Sequence, residues 1–138
     1  MKEKTSLVFT GDIGFDKYMY GKWDDEELLS KDVLDFLHSA DHVITNVEGP
    51  VAEVEPNTTK DGVQQLLHTI DPKALKVLRK MKADIWNICN NHIMDAKEYG
   101  IKRTLEFAKQ ENALTIGAGM NIKEARKPVI LNEAGGIG

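Results

Sequence analysis

The chain is poor in most of the features that mark specialised proteins. One cysteine, Cys89, stands among 138 residues, so no intrachain disulfide and no multi-thiolate zinc site can form. Lys and Arg number 18 against 22 Asp and Glu, for a formal net charge of -4. The basic residues form no stripe and do not alternate with aromatics, so the electrostatic footprint of a nucleic-acid binder is missing and no nucleic-acid partner is expected. No apolar run approaches the ~20 residues of a membrane span, and Met1 to Ser6 leads directly into a strand without a secretory hydrophobic region. As it stands the chain reads as cytoplasmic; it would be membrane-associated or extracellular if an N-terminal anchor had been removed. What is present is 41% hydrophobic and 29% charged residue content, the profile of a globular protein with about one domain's worth of core. None of this bears on oligomeric state.

Short apolar runs alternate with amphipathic segments. Leu7 to Phe9 is β-favouring and closes on Thr10-Gly11-Asp12, as a buried strand running into a turn would. Ile13 to Asp25 carries Phe15, Tyr18, Tyr20 and Trp23 among polar residues and reads as a long aromatic loop, either a lid or a flap over the core. Glu26 to His38 spaces Leu29, Val33, Phe36 and Leu37 at helical intervals. His42 to Thr45 is a second strand, Val51 to Val63 a surface excursion, and Gln65 to Thr69 a short strand. Asp71-Pro72 then opens a helix with Ala74, Leu75, Leu78 and Met81 on one face. Asp84 to Cys89 supplies a third main strand, with Cys89 buried in it. A helix carrying Ile101, Leu105 and Ala108 follows, with Asp95 and Glu98 placed as a capping pair. Ala113 to Ile116 and Pro128 to Leu131 are the fourth and fifth main strands. Strands alternating with helices argue for an α/β fold with a mainly parallel sheet and flanking helices.

In such sheets ligands sit beyond the carboxyl ends of the strands. Asp12, Glu48 and the pair Asn91-His92 each follow a different strand, so the sheet would bring them to one edge. Two carboxylates, an amide oxygen and an imidazole suit Mn, Mg, Fe or Zn. A divalent metal held there would lower the pKa of bound water to about 7, and His92 would act on the leaving group as general acid. Asn46 would orient Glu48 or cap its own turn. His68 would be ordinary packing or a side chain of the cleft, and Gly117-Ala118-Gly119 a turn or an anion cradle.

At these residues the chain resembles a known family. Gly11-Asp12, Asn46-Val47-Glu48-Gly49-Pro50, and Asn90-Asn91-His92 with Asp95 and Gly100 are similar to the ordered signatures of the bacterial capsule-synthesis, poly-γ-glutamate family, which is related to the calcineurin-like metallophosphoesterases. Gly117 to Asn121, Glu124-Ala125-Arg126 and Pro128 extend the likeness. The resemblance implies a metallophosphatase-like fold, with Asp12 as the first metal-binding acid, Asn91 as the amide ligand and His92 as the catalytic histidine. Asn46, Asn90, Asp95 and His68 would contact substrate or support those groups.

The chain also departs from that wider group. Gly14 stands where a His two residues after the first Asp is usual, Asn46-Val47-Glu48 replaces Gly-Asp, Asn90 replaces the Gly before Asn-His, and Ile93 replaces the acid after it. The group supplies further histidines from the second half of its fold, and no histidine follows His92 here. The 138 residues are therefore expected to be one domain, the N-terminal portion of a truncated fold, and a poor catalyst alone. The leading expectation is a metal-dependent hydrolase of capsule metabolism acting on a phosphoester or on an amide-linked acidic polymer. A non-catalytic polymer-binding or assembly module is the alternative. A dinucleotide-binding domain is a distant third, because Gly11-Asp12-Ile13-Gly14 is not Gly-x-Gly-x-x-Gly.

Overall fold

Among the described residues four parallel strands, Leu7–Ile13, His42–Val47, Ala83–Asn87 and Leu114–Ile116, lie side by side in that order in one sheet. The computed structural model describes residues 4–53, 59–60, 63–64 and 67–131. Along the chain these hold β1 (Leu7–Ile13), α1 (Lys31–Ser39), β2 (His42–Val47), the short antiparallel pair β3 (Thr59–Lys60) and β4 (Val63–Gln64), α2 (Leu75–Lys80), β5 (Ala83–Asn87), α3 (Lys97–Gln110), β6 (Leu114–Ile116) and α4 (Ile122–Ala125). The α/β architecture with flanking helices agrees with the sequence.

Strands that join their neighbours in sequence order, with right-handed crossovers, place their connecting helices on one face of a sheet. The core reflects this. Val43, Val47, Ala83 and Trp86 of the sheet share one buried cluster with Leu37 of α1, Leu75 and Leu78 of α2, and Ile101 and Ala108 of α3. The other face has a different character. Ile44 pairs with Phe9 and Ile85, and Ile85 with Leu114; the two central residues are buried, while Phe9 is 72% and Leu114 46% exposed.

Several boundaries move for local reasons. β1 runs through Gly11-Asp12 to Ile13 because its ladder to β2 resumes at Asp12–Asn46 after a register shift. The aromatic stretch is not a plain loop: it forms two 3-10 turns, Lys17–Met19 and Lys22–Asp24, and buries Phe15 and Trp23 in the core. Tyr18 stays exposed. α1 starts at Lys31, five residues later than its apolar spacing suggests, because the Ser30 hydroxyl accepts the Val33 N–H and caps it there. Asp71 caps its turn through Lys73 N–H, with Pro72 in the first position and Ala74, Leu75, Leu78 and Met81 all buried, as expected.

Four expectations fail. Pro128 to Leu131 is not a strand. Residues 67–69 are not a strand either, although Ile70 makes one parallel bridge to Val51; Gln65 lies outside the described residues. Val51 and Ala52, placed in a surface excursion, are buried, with Val51 N–H donating to the Thr104 hydroxyl at 2.8 Å. Cys89 is exposed, because β5 ends at Asn87 and the chain has already left the sheet.

Candidate active site

The register brings the strand ends together. Asp12 pairs with Asn46 and Asn46 with Asn87, across three neighbouring strands, so residues separated by long stretches of sequence meet at the carboxyl edge. Glu48 N–H donates to the Ile13 carbonyl at 3.0 Å, which holds the β2 exit against β1.

Asn90 organises this edge. Its Oδ1 accepts the backbone N–H groups of His92 at 3.1 Å and Gly49 at 3.3 Å, and its Nδ2 donates to the Val47 carbonyl at 2.8 Å. Backbone groups have fixed donor and acceptor character, so these bonds decide which way the Asn90 amide points. Nδ2 also donates to Asn46 Oδ1 at 3.3 Å, which receives Asn87 Nδ2 at 2.9 Å as well. The Asn46 amide is thereby oriented in turn. Its Nδ2 donates to Asp12 Oδ1 and to Glu48 Oε2, each at 2.7 Å. Asn46 bridges the two carboxylates, and among the described residues its side chain caps no turn.

Opposite Glu48 stands His92. Its Nδ1 is 2.7 Å from Asp95 Oδ2 and its Nε2 is 3.9 Å from Glu48 Oε1. A carboxylate on Nδ1 selects the tautomer that leaves Nε2 for a ligand. Asp95 is not the helix cap expected of it: α3 is capped at Ala96 without any side-chain bond, and Asp95 turns inward. The His68 ring lies against that of His92, with centroids 3.9 Å apart. His68 Nδ1 is 2.9 Å from Asp16 Oδ2, an approach without hydrogen-bond alignment. Side chains of Glu48, His92, Asp95, His68 and Asp16 are 15–24% exposed, sheltered yet reachable.

Of the residues proposed from sequence, Asp12, Asn46, Glu48, Asn90, His92, Asp95 and His68 are joined in this network. Asn91 is exposed and takes no part in the described hydrogen bonds. Asp16 and Asn87 are additions. Asp16 was hidden in the aromatic stretch, and Asn87 in a strand, where its pairing with Asn46 follows only from register.

As arranged, these residues do not form a metal cage. Among the described residues no group of three or more His, Cys, Asp or Glu side chains is placed to hold an ion, and Asn46 presents N–H, not oxygen, between Asp12 and Glu48. What they offer is an imidazole with a fixed tautomer beside a carboxylate.

Residues 6–137 match the family model described as bacterial capsule synthesis protein PGA_cap. The PGA biosynthesis protein CapA of Bacillus subtilis (strain 168) is 30% identical over 135 residues, which covers 96% of this chain and 35% of that protein. The capsule biosynthesis protein CapA of Bacillus anthracis is 24% identical over 139 residues, 96% of this chain and 33% of that protein. The chain therefore spans about a third of the length of these relatives. With its family match over nearly the whole chain, its parallel sheet and its polar carboxyl edge, the chain belongs to the bacterial capsule synthesis family, whose domain is metallophosphoesterase-like.

Proposed function

We propose that this chain serves poly-γ-glutamate capsule synthesis or processing by hydrolysing a bond of the polymer or of a phosphoester, with His92 as the proton-transfer group. One observation carries the reading: the Asp95–His92 pair faces Glu48 at the carboxyl edge of the sheet. Asp95 accepts from Nδ1, so Nε2 remains to take a proton from water or give one to a leaving oxygen or nitrogen. Glu48 sits where it steadies the imidazolium formed in that transfer. Asn46 ties Asp12 and Glu48 together by donating to both. The amide occupies one oxygen of each carboxylate, Asp12 Oδ1 and Glu48 Oε2.

The test is turnover of poly-γ-glutamate, followed by polymer length, and of a generic phosphoester, each with and without added Mn, Mg or Zn. Wild type should cleave one of them and His92→Ala should lose the activity. Equal rates for the two proteins would reject His92 as the proton-transfer group.

A second reading is a non-catalytic polymer-binding or assembly module, favoured by the lack of a three-ligand cage among the described residues. It predicts polymer binding that survives Asp12→Ala and His92→Ala, with no cleavage by wild type.

A further inference from the structure

Two histidines meet at the edge, and proton transfer uses one. Each has a carboxylate near Nδ1: His92 Nδ1 is hydrogen-bonded to Asp95 Oδ2 at 2.7 Å, and His68 Nδ1 lies 2.9 Å from Asp16 Oδ2 without hydrogen-bond alignment. They are also tied together. Asp95 Oδ2 accepts both His92 Nδ1 and the His68 backbone N–H, the latter at 2.8 Å. The rings approach to 3.9 Å between centroids at a 53° tilt.

An imidazole loses its working geometry in two ways. It can take the other tautomer, or its ring can turn and exchange its nitrogens. Asp95 guards the tautomer of His92, provided the carboxylate is itself held, and the His68 main chain holds it. The His68 ring, lying against His92, opposes the turn. Asp16 approaches the same ring nitrogen of His68, as a close charge and not as an aligned hydrogen-bond acceptor. Asp16 Oδ2 is buried without a hydrogen bond, a costly state for a carboxylate, and its approach to His68 Nδ1 offsets that cost.

The backbone delivers His68 here. Gly49 has φ +93°, and a Cβ there would sit 2.3 Å from the His68 carbonyl oxygen. The segment is then fastened by Ile70 N–H to the Pro50 carbonyl at 2.9 Å and Ala52 N–H to the Ile70 carbonyl at 3.1 Å. The turn that carries Glu48 and the segment that carries His68 are thus pressed together at a glycine.

We propose that Asp16 and His68 are positioning residues for His92, a relay in which Asp16 sets His68 and His68 holds both the His92 ring and its partner Asp95. This rests on the reading of His92 as the proton-transfer group.

The test is imidazole nitrogen NMR on the 15N-labelled chain, with His92 assigned by its loss in His92→Gln. Wild type should show His92 in one tautomer, protonated on Nδ1. Asp95→Asn is the reference for a released ring. Asp16→Asn is isosteric, and His68→Gln keeps the main-chain N–H to Asp95 while removing the ring. Each should move His92 at least half as far toward mixed tautomers as Asp95→Asn does, with amide spectra showing an intact fold; if one fails to fold, the other decides. An unchanged His92 signal in a folded variant whose His68 signal has moved or vanished would overturn the relay. Loss of turnover in His92→Ala beside such an unchanged signal would overturn the relay alone and leave proton transfer standing.

Discussion

Two histidine–aspartate pairs sit at opposite ends of the same strands. At the amino ends His42 Nδ1 lies 2.7 Å from Asp84 Oδ2, and at the carboxyl ends His92 Nδ1 lies 2.7 Å from Asp95 Oδ2. The distances match, but the surroundings do not. Asp84 also accepts the Val43 N–H at 2.7 Å and so staples β2 to β5 where their register shifts. Asp95 instead holds a ring that faces Glu48 and leans on His68. The chemistry of the pair is the same; its place in a parallel sheet separates a staple from a site.

The comparison breaks first at activity. His92→Ala should lower turnover about 100- to 10,000-fold, the usual worth of a positioned acid or base. His42→Ala should leave turnover per folded molecule unchanged while lowering the melting temperature. Rates normalised to folded protein would reveal an equal loss in both, which would erase the distinction.

The glycines at the two neighbouring strand ends offer a second contrast. Gly49→Ala meets a positive φ and the His68 carbonyl oxygen, and should cost about 2–4 kcal/mol in urea unfolding. At Gly11 an added Cβ would meet nothing within 4 Å among the described residues, so Gly11→Ala should stay within about 0.5 kcal/mol. Comparable losses would mean that the His68 segment is not pressed against Gly49.

A third contrast concerns the polar groups. Asn90→Ala strands the N–H groups of Gly49 and His92 and the Val47 carbonyl, at about 2–3 kcal/mol. Asp84→Asn keeps an acceptor for Val43 N–H and should cost about 1 kcal/mol. Urea midpoints in the reverse order would place the tighter network at the amino ends.

The smallest effect lies on the surface. Arg103 donates to both carboxylate oxygens of Glu53, with Tyr99 adding a third bond. The Arg103 hydrogen bonds hold the Glu53 carboxyl down at about 2, from 4.5. A lowered folded-state value means stability that is present above about 4.5 and is lost as pH falls through about 2. Glu53 is half exposed, so Glu53→Gln should lower the melting temperature only slightly near neutral pH, and the difference should vanish by about pH 2. A difference that persists in acid would trace to packing.

Much of the fold was legible from sequence because period and strand-end chemistry are local properties. Leu7 to Phe9, His42 to Thr45 and Ala74 to Met81 announced themselves by spacing. Positions that depend on tertiary contact did not. Asp95 precedes Glu98 as a cap would, and only the approach of His68 shows why it turns inward. Cys89 continues an apolar run, yet its burial depended on where pairing with β6 ends, at Asn87–Ile116. The site was legible as a list of Asp12, Glu48 and His92; its wiring through Asn46, Asn87 and Asn90 required the register. Asp16 was unreadable because its partner, His68, is remote in sequence and reaches it only through the tertiary fold.

The central claim is that ligand meets this chain at the carboxyl edge. Titrating the 15N-labelled protein with a short γ-glutamate oligomer, and separately with a generic phosphoester, tests it most directly. For the true ligand class, shifts should centre on His92, His68, Asn90 and the amides of residues 46–49. Shifts centred on His42 and Asp84, or none with either probe, would contradict it.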